Sequence, residues 1–145
     1  MMVSTKGRYA LMILTDLAVH AKDDYVSLAD VGERQGISLK YLEAIVASLN
    51  KAGYVESRRG KSGGYKLARS PKDCTVGGAL KAAEGSLAPV SCLENCADEC
   101  RYSAKCLTLP VWRELDRRID EYLESITIED VLTGKVVKKG ETNGR

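Results

Sequence analysis

The chain has 145 residues and a mass of 15.8 kDa, room for one domain of ordinary size with a small appended element. Its 44% hydrophobic and 29% charged content fits a soluble globular protein and excludes a disordered or fibrous one. The net charge of +2 selects no class of partner, and the longest apolar stretch, residues 9–19, is too short to span a membrane.

That stretch follows a helical period instead. Tyr9/Ala10, Ile13/Leu14 and Leu17/Ala18 recur at i, i+4 and i+8, which predicts a first amphipathic helix with one buried stripe. Lys6 and Arg8 precede it and Val19-His20-Ala21 faintly resembles a cleavage site, but Asp16 breaks the apolar run, so no secretory leader is expected. His20, the one histidine, falls in this helix and reads as a packing residue. "KDDY" (22–25) ends the helix, and Ser27 with Asp30 three residues on starts a second one that runs to about Gln35. Gly36 turns the chain, and Ser38 caps a third helix ending near Gly53, which takes the position after the C-cap. Leu42, Ile45, Val46 and Leu49 share one face of that third helix; Lys40, Glu43, Ala44 and Ala47 share the other. Two short helices joined at a glycine form a helix-turn-helix candidate, with two alanines small enough to let the backbone sit deep in a DNA groove. An ordinary helical hairpin with a solvated outer face carries the same pattern.

The next segment favours DNA. "YVESRRGKSGGYKLARS" (54–70) reads as a strand, a glycine turn and a second strand, flanked by Tyr54 and Tyr65. From residue 51 to 72 the chain has seven basic residues against the single acid Glu56, a balance that suits phosphates. A basic hairpin directly after a helix-turn-helix is the wing of a winged-helix domain. "GKS" (60–62) imitates a phosphate-binding loop, but the required first glycine falls at Val55, so that motif is absent. Thr75 caps a short helix from Val76 to about Glu84, stopped by Gly85. Pro110 opens a last, longer helix whose Trp112, Leu115, Ile119, Tyr122/Leu123 and Ile126 recur every three to four residues. Such a stripe needs a cover, either the chain's own domain or, where the DNA site is two-fold symmetric, a coiled-coil-like contact with a second copy of the chain. Residues 133–145 are polar and read as a disordered tail.

Between these helices lies "SCLENCADECRYSAKC" (91–106), with four of the five cysteines, at Cys92, Cys96, Cys100 and Cys106. Residues 82–100 carry four carboxylates and no Lys or Arg. Clustered thiols without an export signal point to metal or redox chemistry rather than a disulfide framework. Structural zinc prefers close Cys pairs split by a longer insert, which this even spacing does not match. On a straight helix Cys92 and Cys100 would stand about 12 Å apart, so shared ligation requires a folded loop. Nearby acids discourage thiolates unless a cation binds. Spacing alone leaves four readings open: an iron–sulfur cluster, zinc, a thiol redox sensor, or inert thiols. Cys74 stands apart as a structural thiol.

The opening "STKGRYAL", the segment "SLADVGERQGISLKYLEAIVASLNKAGYVES", the wing "RRGKSGGYKL" and the late "KCLTLPVWREL" together resemble the Rrf-two family of bacterial winged-helix repressors, over about residues 2–132. The resemblance implies a homodimer, with a winged helix-turn-helix and a long helix crossing to the partner. It assigns the DNA-facing residues to Ser38, Lys40, Tyr41 and Glu43 on the third helix and to Arg58, Arg59, Gly60, Lys61, Gly63, Gly64 and Tyr65 in the wing. In cluster-binding relatives a carboxylate at the place of Glu43 tunes which operators are accepted. Ala44 stands where the family's iron–sulfur regulators have a longer amide, so this chain departs from them at that base step. The family's three cysteines end in a Cys-x5-Cys pair, which Cys100 and Cys106 match. Cys92 matches the first, in a loop two residues longer. Those regulators place a histidine ligand after the last cysteine in "LTH"; here the sequence is "LTL", and Leu109 cannot ligate iron. Cys96 is the replacement implied. Some nitric-oxide-sensing relatives use an N-terminal carboxylate from the partner, but the matching residue here is Arg8.

The sequence therefore predicts a mainly α fold with a small β-hairpin wing: a winged helix-turn-helix over 1–85, a cluster-binding loop over 86–108, a dimerisation helix over 109–132 and the tail. Trp112, Leu115, Ile119, Leu123 and Ile126 are the expected dimer contacts. The expected function is a cytoplasmic, homodimeric regulator that binds a pseudo-palindromic operator in double-stranded DNA. It senses iron–sulfur status, oxidants or nitric oxide through a 2Fe–2S or 4Fe–4S cluster on Cys92, Cys96, Cys100 and Cys106. A cluster-free repressor of cysteine metabolism, controlled by a partner enzyme or a thiol switch, is the alternative; a zinc protein or electron carrier is more distant. No nucleophile–base pair or cofactor loop suggests an enzyme.

Overall fold

The computed structural model describes residues 3–94 and 103–136. Helix α1 (Thr5–His20) starts at Ser4, whose side chain accepts from the Lys6 amide, and buries Ala10, Ile13, Leu14, Leu17 and Ala18 along one stripe. Helix α2 (Leu28–Gln35) is capped by Ser27 on the Asp30 amide and ends at Gly36, in the left-handed region at φ 69°. Helix α3 (Leu39–Lys51) follows its cap Ser38, and its Leu42, Ile45, Val46 and Leu49 are all within 2% of full burial. These three stripes meet in one core with Val31, Ile37 and Val55. Removing any of these large side chains to alanine costs about 2–5 kcal/mol, which is why the helix-turn-helix holds its shape on so few residues.

Strands β1 (Val55–Arg58) and β2 (Gly64–Leu67) form the antiparallel wing, with Val55 opposite Leu67 and Arg58 opposite Gly64. A third edge joins them: Val26 and Tyr65 exchange backbone hydrogen bonds of 2.9 and 2.8 Å. This close approach explains Gly64, which has φ 149° and whose added Cβ would lie 2.2 Å from the Val26 carbonyl oxygen. Helix α4 (Val76–Glu84), capped by Thr75 on the Gly78 amide, packs on α1. Helix α5 (Leu109–Glu124) carries Pro110 in its first turn, and α6 (Ile128–Thr133) starts from a capping box of Thr127 and Asp130.

Four expectations change. The last helix does not run to residue 132: it stops at Glu124, and Ile126, 4% exposed, lies in a second core with Val76, Leu80 and Leu87. The backbone pins it there, since Val76 N–H donates to Ile126 and Ile128 N–H donates to Cys74, both at 2.8 Å. Ile126 is thus off the α5 stripe and spent within its own chain. Ile128 is fully buried in the main core, so the winged-helix core is not closed by residues 1–85 alone. His20 is exposed in the last turn of α1, off the buried stripe that continues through Leu17 and Ala18 to Ala21, and is not a packing residue. Finally, chain order continues past Thr133 to Val136, which packs on the second core; the rest of the expected tail, residues 137–145, lies outside the described residues.

Candidate nucleic-acid interface and cysteine segment

The outer side of α3 presents Ser38, Lys40, Tyr41, Glu43, Ala44 and Ala47, all exposed. Because 3.6 residues make a turn, the buried quartet at 42, 45, 46 and 49 forces this set outward. Tyr41 meets the Tyr9 ring edge-on at 5.5 Å and 74°, which ties the start of α3 to α1. Lys6, at the start of α1, joins Ser38, Lys40, Tyr41 and Ala44 around a cleft of about 290 Å³.

A buried charge lies between α1 and α2. The Asp16 side chain is fully buried; it accepts from Arg34 Nη2 at 2.7 Å and Nε at 3.0 Å, and from Gln35 Nε2 at 2.8 Å. Burial pushes its carboxyl up, but the Arg34 and Gln35 hydrogen bonds and the Arg34 charge outweigh it, and the group is held below its usual range. This fork joins α1 to the last turn of α2, immediately before the turn into α3.

In the wing, Arg58, Arg59, Gly60 and Lys61 are exposed, while Gly63, Gly64 and Tyr65 are half-buried. Gly63 admits no side chain, since an added Cβ would lie 2.0 Å from the Arg58 carbonyl oxygen. Arg59 and Lys61 form no ion pair among the described residues, whereas Arg58 pairs with Asp24 and Lys66 with Glu56. Arg69 is engaged elsewhere. It donates to the Ala52 and Gly53 carbonyls and stacks over Tyr54 at 4.2 Å, a cation at the C-terminal end of α3.

Cys92 sits in a short 3₁₀ turn (Ser91–Leu93), and Cys106 lies just before α5; both are free and half-buried. Hydrogen bonding to the Thr108 hydroxyl, 3.4 Å away, and to the Thr108 and Leu109 backbone draws the Cys106 thiol below its ordinary pKa. Burial pushes the Cys74 thiol up, and at 0% exposure it is core. Cys96 and Cys100 lie outside the described residues, within which no three Cys, His, Asp or Glu side chains converge as a metal site. Leu109 is buried and offers no ligand atom.

Helix α5 is held to α4 at its C-terminal end, where Lys81 pairs with Asp120 and with Glu124 at 3.2 Å, and Thr75 donates to Glu124 at 2.8 Å. Arg117 and Arg118 line another side, and their hydrogen bonds draw the Glu114 carboxyl down to about 2. Part of the apolar side is left open: Val111, Leu115 and Tyr122 are 58%, 41% and 56% exposed and Trp112 and Ile119 are half-buried, whereas Leu123 packs against the second core.

Residues 3–134 match the family described as "Rrf2: Iron-dependent Transcriptional regulator". The chain belongs to the Rrf2 family. Among its relatives is the HTH-type transcriptional regulator IscR of Aliivibrio salmonicida, 39% identical over 96% of this chain and 82% of that one. The solved structure of T. potens IscR has a TM-score of 0.73 at 38% identity, covering 99% of this chain and 94% of that one. CymR, the global cysteine regulator of B. subtilis, also has a TM-score of 0.73, at 34% identity, covering 92% and 97%. The winged-helix architecture is therefore that of the Rrf2 regulators, and the relatives are regulators rather than enzymes.

For this Rrf2 chain, sequence reasoning missed Lys6 beside the start of α3, Asp16 between α1 and α2, and Asp24 and Tyr25 beside the wing. The signals were faint but present. A lone acid in a buried helical stripe implies a partner cation, and a tyrosine in a short charged loop offers a platform for one.

Proposed function

We propose that the chain is a homodimeric DNA-binding transcriptional regulator of the cytoplasm, acting on a pseudo-palindromic operator and sensing iron–sulfur status, oxidants or nitric oxide through a cysteine-held cluster. The observation that carries the DNA reading is the exposed start of α3, with Ser38, Lys40, Tyr41 and Glu43, accompanied by the exposed wing cations Arg59 and Lys61. Lys40 and the wing cations neutralise phosphates and release counterions. Glu43 accepts from cytosine N4 or repels a misplaced phosphate, which makes it a selector more than an affinity residue. The partly open stripe of α5, with Leu115, Trp112 and Ile119 and with Leu123 at its inner edge, pairs with its own copy across a two-fold axis, and that symmetry presents two α3 helices to two half-sites.

Cys92, Cys96, Cys100 and Cys106 would hold the cluster. The two described thiols fit by type, and Cys106 is already biased toward the thiolate that iron requires. With Leu109 lacking a ligand atom, Cys96 completes a four-thiolate set. A bound cluster supplies a centre that oxidants and nitric oxide alter chemically. Cys106 lies three residues before the start of α5, so the order of this segment bears directly on the helix that pairs the subunits. The likeness to CymR supports a second reading, a cluster-free repressor of cysteine metabolism controlled by a partner enzyme or thiol oxidation.

The test is salt-titrated binding to duplexes that the chain itself selects from a random-sequence pool. The proposal expects affinity that falls steeply with salt. No selection, or a flat salt dependence, contradicts it.

A further inference from the structure

The family resemblance assigns Arg58, Arg59 and Lys61 alike to DNA, but their surroundings divide them. Arg58 Nη2 donates to Asp24 Oδ1 at 3.0 Å and to the Ser62 carbonyl at 2.9 Å, and its guanidinium carbon lies 4.4 Å from the centre of the Tyr25 ring. One plane thus closes the wing turn from inside, through Ser62, and fastens it to the segment before α2, through Asp24 and Tyr25. Lys66 of β2 approaches the same ring at 4.9 Å and pairs with Glu56 at 3.5 Å. Glu56 in turn accepts from the Tyr25 hydroxyl at 3.0 Å. Next to Tyr25, Val26 is bridged to Tyr65 of β2. Tyr25 is therefore the hub of the wing's inner side, touching two cations by its ring and one carboxylate by its hydroxyl.

We propose that Tyr25 and Arg58 form a strut that positions the wing for DNA, so that Arg58 is a positioning residue and the wing's phosphate contacts are Arg59 and Lys61. The inference rests on the DNA-binding reading and deepens it. Charge supports the division: Asp24 and Glu56 neutralise Arg58 and Lys66, which leaves Arg59 and Lys61 as the wing cations with no acidic partner among the described residues. Chemistry supports it as well. A guanidinium stacks flat on a ring while donating in its own plane to two acceptors, an arrangement a lysine ammonium does not reproduce. A two-stranded hairpin alone is marginally stable in water, so a wing this small gains from being ordered before DNA arrives.

Three single substitutions and one double variant test it, with duplexes the wild-type chain selects from a random-sequence pool. Tyr25→Ala and Arg58→Lys should each lower affinity about fivefold, and their combination should cost little more than the worse single change, because both break one strut. Arg58→Gln should leave the slope of log affinity against log salt unchanged, since no phosphate contact is lost. A phosphate-contacting Arg58 would give the opposite set: full rescue by lysine, independent effects, and a slope smaller by about 0.9 per site in Arg58→Gln. Any of those results overturns the strut. Amide hydrogen exchange of residues 59–63 in the DNA-free protein separates this from the parent proposal. Exchange should quicken in Tyr25→Ala and Arg58→Lys with the melting temperature unchanged; wings equally protected in all three proteins would overturn the strut whether or not the chain binds DNA. If the wild-type chain selects no duplex while the exchange pattern holds, the DNA reading fails and the strut stands.

Discussion

Replacing Asp16 with alanine removes the acceptor of three hydrogen bonds and leaves Arg34 beside an apolar cavity. Breaking a fully buried ion pair by deleting one partner costs about 3–5 kcal/mol. Here the Asp16 side chain is fully buried but Arg34 keeps 32% of its exposure, so the orphaned guanidinium recovers part of its hydration. The expected loss is about 2–3 kcal/mol, which for a chain of this size lowers the melting temperature by about 5–10 °C. Urea denaturation followed by circular dichroism reads it directly. The near-isosteric Asp16→Asn adds a pH signature. Because the folded carboxyl is held below its usual value, its contribution is present above the unfolded carboxylate pKa, about 3.9, and is lost as pH falls through the folded pKa. The stability gap between wild type and Asp16→Asn should therefore be full at pH 7 and close in acid, where a protonated Asp16 resembles asparagine. A loss below about 0.5 kcal/mol at pH 7, or a gap that stays constant into acid, would refute the assignment of Asp16 as the clamp between α1 and α2.

On selected duplexes, Glu43→Ala should mainly relax discrimination between sequences, whereas Arg59→Ala should weaken all of them and reduce the salt slope by about 0.9 per site; equal losses from both would end that division of labour. Leu115→Asp, on the open side of α5, should convert a dimer to a monomer in sedimentation experiments without lowering helix content, because Leu115 is 41% exposed in the single chain; an unchanged dimer would place the interface elsewhere. Cys96→Ser should bleach or destabilise the cluster spectrum of anaerobic protein. An unaltered spectrum would remove Cys96 from the ligand set.

Much of the fold was legible because local signals agreed with tertiary ones. Ser27, Ser38 and Thr75 cap the helices that their positions announced, and the period at 42, 45, 46 and 49 buries the residues it should. Periodicity misled at Ile126, because a helical repeat does not reveal that the backbone has left the helix to pair with residues 74–76. Position inside an apolar helix misled at His20 too, since that residue lies off the stripe that buries Leu17, Ala18 and, just after the helix, Ala21. The exposed face of α3 could be inferred by exclusion, as everything opposite the buried quartet. Partnerships over long separations could not: Asp16 with Arg34, Arg58 with Asp24, and Ser4 with Glu84 each depend on how elements pack. For the cysteines, spacing alone left several chemistries open, and the Rrf2 likeness narrowed them through three matching positions.

The most direct test of the central claim is a Mössbauer spectrum, with visible absorption, of the chain purified without air from cells grown on iron-57. A cluster-sensing regulator predicts iron in a sulfur environment, charge-transfer bands in the visible, and their loss on exposure to oxidants or nitric oxide. A colourless protein containing zinc or no metal, and still binding its selected duplex, would contradict the cluster and leave the cysteine-metabolism repressor as the better account.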